Sequence, residues 1–277
     1  AIFSSGIFYG YGQAVSSTTG NSQKVHTIIV IFDALRPDYI RSDWMPRLSA
    51  FRSKAAYGNN HHSVFPTVTR VNAASYITGS YPENHGLMRN SIYVPEVNPA
   101  KSQSTGKADF LQQVMEATSG NLLTSPSLGE ILHSAGEELF VYSSGSTGQA
   151  FLQNHTVKGA IIHPEIILPE GLKNKVIGDI GKPPSDGIPN TGRHRWITDA
   201  LCKYTLRTDG PLVSAIWYSD PDGAAHKYGI GVPVTVEALK TVDAAFGSIL
   251  DSIYAKGLEN RFNIIVTADH GFVTHTG

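Results

Sequence analysis

Three runs of apolar and β-branched residues, at 25–32 (VHTIIVIF), 212–218 and 262–267, constrain this chain more than any other feature. The first is apolar over consecutive positions, so as a strand it must be covered on both faces, which a parallel sheet between two helical layers provides. Helical spacing fills the intervals. The pattern predicts helices over 46–57, with Leu48, Phe51 and Ala55 on one face, over 69–77 with Gly79 as its stop, over 195–206 and over 234–256. A further strand is expected at 138–143, and Ser127-Leu128-Gly129-Glu130 has the spacing of a capping box opening a helix to 135. Strand and helix alternating in this way predict an α/β fold, a mostly parallel central sheet with helices on both faces, whose ligands bind beyond the carboxyl ends of the strands.

Residues 1–24 are rich in Gly, Ser, Tyr and Thr and are read as an N-terminal extension, leaving 25–277 as one catalytic domain. The stretch 159–192 carries many Gly and Pro residues and is expected to be an insertion or lid rather than core. The segment 93–125 has no clear period. With 22 Lys and Arg against 23 Asp and Glu, the chain has no general attraction for a nucleic-acid duplex or an anionic membrane, so any affinity for phosphate must be local. No run reaches the roughly 20 apolar residues of a membrane span. The single cysteine, Cys202, excludes a disulfide within the 277 residues.

Each of the three runs ends in chemistry. Asp33 follows the first, Ser219-Asp220-Pro221-Asp222-Gly223-Ala224-Ala225-His226 the second, and Asp269-His270-Gly271 the third. Taken singly, each is an ordinary turn or capping motif. If the three strands are neighbours, Asp33, Asp222, His226, Asp269 and His270 converge on one edge. Mixed carboxylates and imidazoles suit zinc or a similar cation, and five ligands exceed one tetrahedral site, which points to two divalent metal ions. Thr69, after a Pro-containing loop and at the start of a helix, is placed to be a nucleophile whose hydroxyl a cation activates, with the helix N-terminus facing a phosphate oxygen. His61, His62, His85, His155 and His163 are read as ordinary loop or core histidines.

The segments IIVIFDALRPDYI, FPTVTRVNAASYITGSYPENHGLMRNSIY, DPDGAAHKYG and VTADHGF resemble the type I phosphodiesterase and nucleotide pyrophosphatase branch of the alkaline phosphatase superfamily, in family order from about residue 27 onward. The resemblance implies an alkaline-phosphatase-like α/β sandwich and a bimetal site, usually zinc. It assigns one metal to Asp33, Thr69, Asp269 and His270 and the other to Asp222 and His226. It implies that Asn90 contacts a phosphoryl oxygen, and that Thr69 takes up the phosphoryl or nucleotidyl group of a small phosphate ester before water releases it. Family habit implies an exported, periplasmic or extracellular protein.

Two positions depart from the family pattern. The family supplies a third ligand to the second metal, a histidine well downstream of Asp-His-Gly, whereas His275 follows that motif too closely. A further C-terminal segment is therefore expected. Arg70 stands where nucleotide-cleaving members usually carry an aromatic residue, and its planar fork suits a phosphate oxygen or a substrate carboxylate. Phosphodiester or nucleotide pyrophosphate hydrolysis is the leading expectation. Phosphomonoester or phosphonate hydrolysis is the alternative within the superfamily, and a non-catalytic binding module with an incomplete metal site is the alternative outside it.

Overall fold

The computed structural model describes residues 24–273. In chain order its elements begin with β1 (His26–Phe32), α1 (Pro46–Arg52), α2 (Thr69–Thr78), α3 (Pro82–His85) and a small hairpin, β2 (Ser91–Ile92) and β3 (Gln103–Ser104). Then come α4 (Ala108–Ala117), α5 (Leu128–Ser134), β4 (Leu139–Ser143), α6 (Thr147–Gln153), β5 (Gly159–Ile162) and β6 (Ile167–Leu168). The rest comprises α7 (Lys173–Ile180), α8 (Thr191–Tyr204), β7 (Val213–Tyr218), α9 (Asp222–Tyr228), α10 (Pro233–Ala255) and β8 (Phe262–Thr267). Six strands form the central sheet in the order β6-β5-β4-β7-β1-β8, parallel except for β6.

The pleat of β1 divides the core. Ile28, Val30 and Phe32 face α8 and α10, packing with Trp196, Ile197, Leu239, Val242 and Phe246. Ile29 and Ile31 turn the other way, among Ala73, Ala74 and Ile77 of α2 and Ala150 and Phe151 of α6. Both faces are thus covered, as the apolar run requires. Gly79 caps α2 in the left-handed region (φ 61°), and Ser127 and Glu130 form the reciprocal capping box. Among the described residues no helix is long and apolar enough to cross a membrane.

Several expectations fail in instructive ways. The helix expected over 46–57 ends at Arg52. Ala55 is exposed, as is Tyr57, so the chain beyond Arg52 has no core to hold an apolar face, and propensity alone does not extend a helix. The helix expected from 195 starts at Thr191. The stretch 159–192 is not simply an insertion or lid. Its first residues form β5, paired in parallel with β4, and Val176 of α7 is fully buried. Gly159 misled because glycine marks loops, but here it has another use. A Cβ on Gly159 would sit 2.3 Å from the Leu139 carbonyl oxygen, and its φ is +117°, so only glycine lets the two strands meet. The segment 93–125 supplies β3 and α4. The extension lies outside the described residues except for Lys24, as does His275.

Candidate active site

Because β7, β1 and β8 are adjacent and parallel, their carboxyl ends lie side by side. Asp33 emerges from β1, Asp269 and His270 from β8, and β7 leads through Ser219 and Asp220 into α9, which begins at Asp222. The Asp222 N–H donates to the Asp33 carbonyl oxygen at 3.1 Å, tying α9 to β1. His226 follows one turn later on the same face, its Nε2 3.4 Å from Asp222 Oδ1 and its ring edge-on to Phe272. The segment read as a turn is therefore a helix.

Each buried carboxylate from β1 and β8 has one oxygen held and one oxygen presented. Trp217 Nε1 donates to Asp33 Oδ2 at 3.1 Å, and the Ala34 N–H donates to Asp269 Oδ1 at 3.1 Å. Asp33 Oδ1, Asp269 Oδ2 and Asp222 Oδ1 are buried and have no hydrogen-bond donor. His270 completes the cluster. Its Nδ1 lies 2.7 Å from the Gly271 carbonyl oxygen, which turns Nε2 towards the carboxylates. Nε2 lies 3.2 Å from Asp269 Oδ2, 3.5 Å from Asp33 Oδ1 and 3.1 Å from Thr69 Oγ1.

Carboxylates crowded in this way repel. Burial, and then the neighbouring Asp269 and Asp222 charges, hold the Asp33 carboxyl well above its ordinary range. Burial also raises Asp269, and it raises Asp222 despite the opposing influence of His226, His270 and Arg70. Donor atoms of Asp33, Asp222 and His270 all lie within 4.8 Å of one another. Unpartnered buried oxygens and an imidazole nitrogen facing one point are the donor set a divalent cation requires.

Thr69 is the first residue of α2, after Val68 in extended conformation. The N–H of Arg70 donates to Asn90 Oδ1 at 3.2 Å, which holds the Asn90 amide against the opening turn of α2 and leaves its NH₂ group outside that bond. The Arg70 guanidinium donates from Nε to Thr105 Oγ1 at 3.2 Å and reaches the Asn90 carbonyl oxygen at 3.4 Å. The structure thus gathers Asp33, Thr69, Arg70, Asn90, Asp222, Asp269 and His270, with His226 at the outer margin.

Sequence reasoning missed the supports. Asp220 Oδ2 accepts the Asn190 N–H at 2.8 Å and its Oδ1 accepts the Ala224 N–H at 3.2 Å, anchoring the first turn of α9 behind Asp222. His194, fully buried, lies 3.8 Å from Asp220 and 3.3 Å from Ser219 Oγ, and burial pushes its pKa down to about 3, so it is neutral. A histidine inside α8 carries no strand-end signal. Trp217 reads from sequence only as a core strand residue.

The profile of the type I phosphodiesterase / nucleotide pyrophosphatase family matches residues 27–276. A mouse bis(5'-adenosyl)-triphosphatase is 24% identical over 277 aligned residues, covering 96% of this chain and 51% of its own length. Human ectonucleotide pyrophosphatase/phosphodiesterase family member 1 is 25% identical over 251, covering 88% of this chain and 23% of its own length. The chain therefore spans about half the length of the first relative and about a quarter of the second. Among solved structures, an inactive threonine-to-alanine variant of murine ectonucleotide pyrophosphatase/phosphodiesterase 5 with AMP superposes with a TM-score of 0.64 at 20% identity, covering 90% of this chain and 57% of the other. Phosphonoacetate hydrolase of Sinorhizobium meliloti with phosphonoacetate gives 0.64 at 22% identity, with the same coverage of 90% and 57%. Both share the fold. With the strand-end acids, the threonine-headed helix and a family match over nearly its whole length, the chain belongs to the type I phosphodiesterase / nucleotide pyrophosphatase family.

Proposed function

We propose that this chain is the metal-binding part of a phosphate-ester hydrolase, cleaving phosphodiester or nucleotide pyrophosphate bonds with Thr69 as the nucleophile. The observation that carries the reading is the convergence of Thr69 Oγ1, the Nε2 of His270 and the donor-less oxygens of Asp33, Asp222 and Asp269. Asp33, Asp269 and His270 would hold one cation beside Thr69, and Asp222 with His226 would hold a second. Zinc suits this nitrogen and oxygen set. When bound, two such cations lower the pKa of a hydroxyl and neutralise negative charge at a phosphoryl centre.

The rest falls to the chain's own groups. Thr69 Oγ forms a bond to phosphorus as the ester oxygen leaves with the bonding pair, and water then attacks phosphorus and releases Thr69. The Asn90 NH₂ donates to a phosphoryl oxygen, and the start of α2 favours the charge that develops there. An extracellular or periplasmic setting follows the relatives, one of which carries the prefix ecto in its name.

Thr69→Ala provides the test. With zinc supplied, turnover of bis-p-nitrophenyl phosphate should be lost while bound zinc, read by elemental analysis, stays near that of the unaltered protein. An active Thr69→Ala protein refutes the nucleophile. A protein binding less than one divalent ion per chain is a binding module instead.

A further inference from the structure

Beside the nucleophile the site opens into a cleft formed by two adjoining cavities of about 280 and 330 Å³, which share Arg70, Gly145, Ser146 and Asp186. None of the residues lining either cavity is aromatic, so the cleft has no face on which a nucleobase could stack. Its charges are asymmetric. Glu165 and Asp186 are both engaged by Arg193, at 2.8 and 3.7 Å, and Asp186 also accepts from the Asn190 amide at 3.0 Å. Two cations remain. Lys107 lines the outer cavity, and Arg70 lies on the wall between the two, adjacent in sequence to Thr69.

Arg70 is half-buried, and its bonds go to neutral oxygens, Thr105 Oγ1 and the Asn90 carbonyl, with no carboxylate paired to it among the described residues. Burial lowers its pKa, with Asp33 and Asp222 opposing from a distance. These neutral bonds fix the guanidinium in place with no carboxylate in contact with it. A desolvated, positioned guanidinium without a counter-ion is built for a ligand that brings one.

We infer that the substituent remaining on phosphorus during Thr69 attack carries a compact anion, a carboxylate or phosphate, which Arg70 grips in the cleft with Lys107 beyond it. This rests on the hydrolase reading and narrows its substrate class from nucleotides to small doubly anionic esters. Arg70 is then the residue that sets specificity.

The test compares two diesters with the same leaving group, 2-carboxyethyl p-nitrophenyl phosphate and propyl p-nitrophenyl phosphate, on the full-length, zinc-supplemented protein. One charge-assisted contact predicts a kcat/KM about 10- to 100-fold higher for the carboxyethyl ester. Arg70→Gln should bring that ratio to about one, Arg70→Lys should keep part of it, and Lys107→Gln should reduce it less than Arg70→Gln. The ratio is read within each variant, so a general loss from misfolding does not imitate the effect. Equal rates for the two esters in the unaltered protein, or an unchanged ratio in Arg70→Gln, overturn the inference and leave the hydrolase reading standing. No turnover of either ester overturns both.

Discussion

Replacing Asp33 by Asn should move stability in opposite directions with and without metal. In the metal-free chain the Asp33 carboxyl is buried, faces Asp269 and Asp222, and presents an oxygen with no donor. Its folded pKa lies above the unfolded value, so the fold favours the protonated form. Stability from this group is therefore greatest below the unfolded pKa of about 3.9 and is lost as pH rises through the raised folded pKa. At neutral pH the charged form costs roughly 1–3 kcal/mol, the usual range for a buried group without its partner. Asn keeps an acceptor for Trp217 Nε1 and removes the charge, so in EDTA at pH 7 Asp33→Asn should be more stable by about that amount. Zinc at 100 times its Kd should add about 2.7 kcal/mol to the unaltered chain, roughly 5–10 °C in Tm for a domain of this size. The variant should show little of that gain. Thermal melts of both proteins in EDTA and in zinc, at pH 7 and pH 5, read all four states. A variant less stable than the parent in EDTA, or one that keeps the full zinc shift, would refute the argument that these oxygens await a cation.

Other perturbations probe the supports. Trp217→Phe removes the donor on Asp33 Oδ2 and should weaken zinc binding about 10- to 100-fold in a chelator competition, with the fold retained. His194 is held neutral by burial, with a folded pKa of about 3, so its contribution is complete above about 6.5 and is lost as pH falls from there towards 3, at about 1.4 kcal/mol per unit. Urea titrations of His194→Asn should show a stability less steep in pH by up to one proton between pH 6 and 4. Gly159→Ala places a Cβ against the Leu139 carbonyl oxygen at a positive φ, and should lower stability by about 2–4 kcal/mol in the same titration.

The parts of the site legible in the sequence are those attached to strand ends. Asp33, Asp222, Asp269 and His270 follow runs whose hydrophobicity marks them as buried, and Thr69 opens a helix that Gly79 closes. The parts that were not legible depend on partners distant in the chain. The indole of Trp217 meets a carboxylate 184 residues away, and His194 meets Ser219 across 25 residues. The strand at 159–162 was hidden because Gly159 serves a close strand approach, which no local pattern distinguishes from a turn.

By itself, then, the order of residues determined the three central strands and the helices between them, and that acids and histidines sit at those strands' carboxyl ends. These are local properties, set by periodicity along a few turns or pleats. Only the tertiary structure decided that β1, first in the chain, lies between β7 and β8, next to last and last among the described strands. It also decided which oxygen of each carboxylate is held and which is presented, that His270 Nε2 turns inward, and that the Arg70 guanidinium bonds neutral oxygens on the wall of the cleft. Strand order and hydrogen-bond partnership are non-local, decided by how both faces of the sheet are buried at once, and no window of sequence contains that competition.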